Sequence, residues 1–135
     1  ALIWGKLVDK YGAKSIITIV LILWLINLGL SIGSGVFNFN NDIWWFISGL
    51  TGILISGVWS CDRPFMHQLI SDEFIGEYFG LHGFSGRLGS IIGTASWGFI
   101  ATTLNLGQPI ALLSLGICIL LSLIIIINID VRKNI

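Results

Sequence analysis

Charge is the scarcest commodity in this 135-residue chain: seven Lys and Arg, seven Asp and Glu, together 10% of residues and a net charge of zero. A water-soluble domain carries about 25%. With so little polar surface, and with 55% apolar residues and a mean hydropathy of +0.93, the chain cannot cover a globule in water, so lipid is its outer solvent. A net charge of zero gives no ground for a nucleic-acid partner. Cysteine is almost missing too. Cys61 and Cys118 stand alone in apolar sequence, with neither disulfide nor metal spacing. No metalloprotease, Walker, zinc or nucleophile-elbow pattern occurs. The expectation is therefore a lipid-embedded protein that is not an enzyme and has no cofactor or metal.

What is present are long apolar runs. Four stretches approach the roughly 20 residues a spanning helix requires: 15–37, 43–65, 79–104 and 110–129. The fold class expected is an all-α membrane protein of four transmembrane helices. The connectors Asn38–Asp42 and Asn105–Pro109 contain no Lys or Arg, whereas Lys6, Lys10, Lys14, Arg63, Arg87, Arg132 and Lys133 all fall toward the opposite ends. The excess of basic residues on one side predicts a multi-pass protein with both termini cytoplasmic. Trp44 and Trp45 fall where an outer aromatic belt is expected. The connector His67–Glu77 reads as a short amphipathic interfacial segment, with Ser71 or Asp72 as its N-cap.

Small residues separate the spans. Gly49, Gly52, Ser56, Ser60 and Arg63 share one face of the second span at spacings of three or four. The third carries Gly83, Gly86, Gly89, Ser90 and Gly93. Such stripes let backbones approach closely in lipid, so the second and third spans are expected as the inner, packed pair. The first has glycines only at its outer end, and the fourth has no small face. Both are expected at the rim.

Before the first span, Gly5-Lys6-Leu7-Val8-Asp9-Lys10-Tyr11-Gly12-Ala13-Lys14 reads as a loop, with Gly5 and Gly12 permitting reversal and Asp9 free to cap a helix or meet a cation. The pattern G-x-x-x-D-[RK]-x-G-x-[RK] resembles the cytoplasmic signature loop of the major facilitator superfamily, and Gly5, Asp9, Lys10, Gly12 and Lys14 match it. A second resemblance follows. Arg63, then Glu77-Tyr78-Phe79-Gly80-Leu81-His82, then Ser85-Gly86-Arg87, then Ser90 and Gly93 is similar to the vacuole-effluxer-like branch, with two departures: Pro64 follows the arginine, and Thr94 stands where that branch usually has proline. The missing proline puts a helix bend there in doubt. The resemblance implies that residues 1–135 are the C-terminal part of a twelve-helix carrier: 1–14 as the conformational signature loop, then the last four helices. It implies secondary transport of a small solute by alternating access, with efflux known among fungal relatives. The partners are then the bilayer, the carrier's N-terminal helices and an unidentified small molecule. A start at Ala1, in what reads as a last helical turn, fits a piece of a longer protein.

The pathway or gate candidates are Ser56, Trp59, Ser60, Asp62, Arg63, Glu77 and Arg87. Intramembrane charge is usually functional, but Asp62 and Arg63 lie toward the cytoplasmic end, where Arg63 can also snorkel. Pro64 releases the Ser60 carbonyl, so local polarity could equally serve a helix break. Arg87 has the same two readings, with Glu77, Asp72 or Glu73 as gate partners. His82 reads as an interfacial histidine or a proton shuttle. Trp24 and Trp97 read as packing or lipid contacts. Two other functions compete. One is a small dimeric four-helix carrier, which needs a mid-membrane carboxylate where the first span has only Asn27. The other is a non-transporting membrane subunit or anchor.

Overall fold

The structure is a computed structural model and describes residues 2–37, 41–70, 74–104 and 107–129. Among the described residues five α-helices follow in order: α1 Leu2–Tyr11, α2 Ala13–Phe37, α3 Asp42–Leu69, α4 Ile75–Gly98 and α5 Gln108–Asn128. A π-helical turn, Phe99–Thr103, extends α4. There is no strand among the described residues. α2, α3 and α5 are long and apolar enough to cross a membrane. α4 is not among these three: its glycines and serines, with Glu77, His82 and Arg87, dilute the apolar run. The connectors Asn38–Asn40, Ser71–Glu73 and Asn105–Leu106, and with them the N-cap and gate roles of Ser71, Asp72 and Glu73, lie outside the described residues, as do Arg132 and Lys133.

The stretch read as a loop is helical instead. Trp4, Leu7, Val8 and Tyr11 recur at helical spacing, and α1 runs through Gly5 without interruption. The chain turns at Gly12 alone, whose φ of 83° is open to glycine at little cost. Its N–H still bonds the Val8 carbonyl at 2.8 Å, closing α1, and α2 starts at the next residue. The expected connector 67–77 is likewise much shorter. α3 continues through Pro64 to Leu69, and α4 begins at Ile75. Pro64 thus ends no helix. α4 also passes Thr94 without a break, and the backbone widens one turn later at Phe99–Thr103, where the Leu104 N–H bonds the Phe99 carbonyl at 3.0 Å.

The packing corrects the expected order of the helices. α2, expected at the rim, is the central element and packs on both α3 and α5. It buries Ala13, Ile16, Ile17, Val20, Asn27, Leu28 and Ser34. The core gathers Val8 of α1, the α2 residues from Ala13 to Val20, and Leu54, Cys61 and Phe65 of α3. Gly57 is the tightest point. A Cβ there would lie 3.0 Å from Trp4 Cε2 and 3.0 Å from Val20 Cγ2, so its missing side chain lets three helices meet. Trp4 and Val20 each lie eight residues from Gly12, about 12 Å along their helices. α1 and α2 therefore rise side by side to the same depth against α3, and α1 is part of the packed bundle.

α3 has two unlike faces. Ile47, Leu54, Gly57, Cys61 and Phe65 are buried. The small-residue face is the open one: Gly49, Gly52 and Arg63 are exposed, Ser56 and Ser60 half-exposed. α4 buries none of its residues, and a Cβ at Gly83, Gly86, Gly89 or Gly93 would meet nothing within 4 Å. So α3 and α4 are not a pair packed through their glycine stripes. A small-residue stripe permits close approach without naming the helix that approaches.

Candidate functional site

α3 and α4 meet near their connecting turn, through Asp62 and His82 and through the tilted rings of His67 and Phe79, whose centroids are 5.3 Å apart. The His82 Nε2 to Asp62 Oδ2 distance is 2.8 Å, in partly exposed surroundings. Asp62 lies seven residues before the end of α3 and His82 seven after the start of α4, so the hairpin of the two helices brings them level. The sequence expectations for Asp62 and His82 treat them apart.

Together with Val58, Trp59, Arg63, Phe79 and Gly83 this pair lines a cleft of about 320 Å³. Trp59 is 78% exposed and one helical turn before Arg63, so both project from the open face of α3. Arg63 has no ion pair among the described residues. Ser60 continues this face one turn above Arg63, its hydroxyl bonded to the Ser56 carbonyl at 2.8 Å. Three of the seven sequence candidates, Trp59, Asp62 and Arg63, thus line the cleft, with Ser60 and Ser56 one and two turns along the same helix.

Glu77 and Arg87 do not join them. Glu77 sits beside Phe74, Tyr78 and Leu81 in a separate hollow. The expected Arg87–Glu77 pair is ruled out by geometry, because ten residues of one helix separate them by about 15 Å. Both are exposed, without an ion pair among the described residues. Further along α4, Ser90, Gly93, Thr94 and Trp97 form a hollow of about 450 Å³ with Leu115 of α5. Trp24 packs against the core, as its bland reading had it.

The signature residues divide by role. Gly12 makes the turn and Gly5 does not. Asp9 is exposed on α1, without a hydrogen bond or ion pair among the described residues, so it caps nothing there. Lys10 lies 5.1 Å from the Tyr11 ring centroid. Lys14 reaches across the bundle to donate to the Ile129 carbonyl at 2.6 Å and the Ile127 carbonyl at 3.1 Å, a cation on the orphan carbonyls that end α5. Its position after Gly12 did not announce that partner.

Sequence reasoning also missed a polar clamp at the middle of α2. Asn27 is 2% exposed, and its Nδ2 donates to Thr51 Oγ1 of α3 at 2.8 Å.

A family model described as Major Facilitator Superfamily matches residues 1–134. The chain belongs to that superfamily. This facilitator chain is accordingly an integral membrane protein of a transport family whose members are transporters and not enzymes, in keeping with its three apolar helices. No curated protein and no solved structure matches it.

Proposed function

We propose that this facilitator chain is the C-terminal four-helix part of a secondary transporter that moves a small solute by alternating access, with α4 as the fourth membrane span. In this reading α2 to α5 are the last four helices of a twelve-helix carrier of the vacuole-effluxer-like branch, and both ends of the chain lie on the cytoplasmic side. The open faces of α3 and α4 line the pathway, and efflux is the direction that the branch suggests. The observation that carries the reading is the division of α3. Leu54, Cys61 and Phe65 are buried in the core with α1 and α2, while on the open side Gly52 and Arg63 are exposed and Ser56 and Ser60 half-exposed, beside exposed Ile53 and Trp59. A polar, small-residue face turned outward is costly against lipid and suited to a water-filled path.

Substituted-cysteine labelling in the full-length carrier tests it, after Cys61 and Cys118 are replaced by serine. Cysteines at Gly52, Ser56 and Ser60 should react with a membrane-impermeant methanethiosulfonate, and one at Ile124 on α5 should not. Equal inertness at all four positions would mean that the face meets lipid or a packed helix, and the pathway reading would be lost. A cysteine at Asn40 reacting in intact cells supports the orientation, and labelling only after lysis refutes it.

A further inference from the structure

The α3/α4 cleft contains a guanidinium with no ion pair among the described residues and, one residue away, a carboxylate bonded to His82. We infer that this cleft binds the anionic group of a small ligand, a carboxylate or phosphate, with Arg63 as the donor and Trp59 as the wall for an apolar or aromatic body. The inference rests on the pathway reading of the α3 face and adds the chemistry of what sits there.

Asp62 makes no ion pair with Arg63. Adjacent residues on a helix point about 100° apart, and the Asp62 carboxylate is bonded to His82 at 2.8 Å. An exposed arginine with no ion pair among the described residues is open to an arriving anion. Its planar fork fits the two oxygens of a carboxylate or phosphate, which a lysine cannot match. Trp59, one turn away on the same face and 78% exposed, offers an indole surface to the remainder of the ligand. At about 320 Å³ the cleft admits a small molecule. His82 acts as a positioning residue: its Nε2 lies 2.8 Å from Asp62 Oδ2 and so fixes where that carboxylate sits relative to Arg63.

Arg63 is six residues from the end of α3, about 9 Å along the axis. The anion can therefore come from a dissolved solute or from a lipid headgroup, and the same chemistry serves both. The test is equilibrium binding of radiolabelled benzoate to the purified full-length protein in phosphatidylcholine nanodiscs. Binding should saturate and resist competition by benzyl alcohol, which has the ring without the charge. Arg63→Gln should weaken it by about tenfold or more, and Arg63→Lys should restore it in part. His82→Ala should weaken it as well, and adding Asp62→Asn to His82→Ala should recover it, a pattern that mere loss of packing would not produce. Lys6→Gln should change nothing. In phosphatidylglycerol nanodiscs, loss of benzoate binding together with Arg63-dependent retention of that lipid identifies a headgroup as the occupant, and unchanged binding identifies a solute. Absence of saturable benzoate binding, with no Arg63-dependent lipid retention, overturns the inference, as does equal binding by wild type and Arg63→Gln. The cysteine labelling of Gly52, Ser56 and Ser60 stands apart from these outcomes, so a failed binding test leaves the pathway reading to its own result.

Discussion

Replacing Gly57 should damage this bundle more than replacing any other glycine on α3, and the coordinates give the reason. An added methyl would lie 3.0 Å from Trp4 Cε2, 3.0 Å from Val20 Cγ2 and 3.2 Å from Trp4 Cζ2, all inside ordinary contact. Neither neighbour can yield easily. Val20 is fully buried, and the Trp4 indole is tethered by its Nε1 hydrogen bond to the Ile53 carbonyl at 3.1 Å. Overpacking of this kind costs about 1–3 kcal/mol, while the helix propensity of alanine returns about 1 kcal/mol relative to glycine. Gly57→Ala should therefore lose about 0–2 kcal/mol, and Gly57→Val, bulkier and branched, about 2 kcal/mol or more. Gly52→Ala meets open space and should be neutral or gain up to about 1 kcal/mol. Cys61, one turn from Gly57 and fully buried, is a built-in reporter. In a Cys118→Ser background, a thiol-reactive fluorophore should label Cys61 at a lower temperature in Gly57→Val than in wild type. The open fraction should rise by up to about 30-fold for 2 kcal/mol. Trp4→Ala should relieve part of the Gly57→Val penalty by removing the crowding atoms. Unaltered Cys61 protection in Gly57→Val would refute the account of the core.

The Asn27–Thr51 clamp should show a coupling of about 0.6 kcal/mol, and at most about 1.7, in a double-mutant cycle of Asn27→Leu and Thr51→Val followed by the same thermal labelling; strict additivity would deny the bond an interhelical role. Gly12→Ala forces a side chain into left-handed backbone and should cost about 1–2 kcal/mol, whereas Gly5→Ala, helical and unobstructed, should not destabilise. Equal effects at the two sites, read from melting temperatures, would mean that Gly12 is no special turn.

The apolar runs were enough to place α2, α3 and α5, the three helices long and apolar enough to span, because a spanning helix must satisfy its backbone internally and so declares itself by length. Local geometry around the signature was harder to read. Gly5 and Gly12 look alike in sequence, and only the helical recurrence of Trp4, Leu7, Val8 and Tyr11 separates a glycine inside α1 from the one that ends it. The packing order was misread for a related reason. Gly49, Gly52 and the α4 glycines drew attention as a stripe, whereas the glycine that makes contact is Gly57, in the middle of large residues. Its neighbours Leu54, Cys61 and Phe65 recur with it at helical spacing, and that is the pattern of a buried face with one gap for a tryptophan. In the cleft, Trp59 and Arg63 followed from spacing on one helix, while the Asp62–His82 pair required knowing where the hairpin turns.

These two kinds of contact divide the bundle into parts of unequal firmness. α1, α2 and α3 interlock around Gly57 through fully buried side chains, and Lys14 ties the start of α2 to the last carbonyls of α5. α4 buries nothing; it meets α3 through Asp62–His82 and His67–Phe79 and leans on α5. Segments with few buried contacts open at the lowest cost, so α4 is held less firmly in this bundle than the Gly57 trio. The cleft lies at that boundary, with Arg63 and Trp59 on the firm side and His82 on the yielding one. A ligand drawn to Arg63 would then sense the position of α4 through the hydrogen bond that His82 makes to Asp62. Displacement of α4 would break that bond, turn a free carboxylate toward the ligand and weaken its hold.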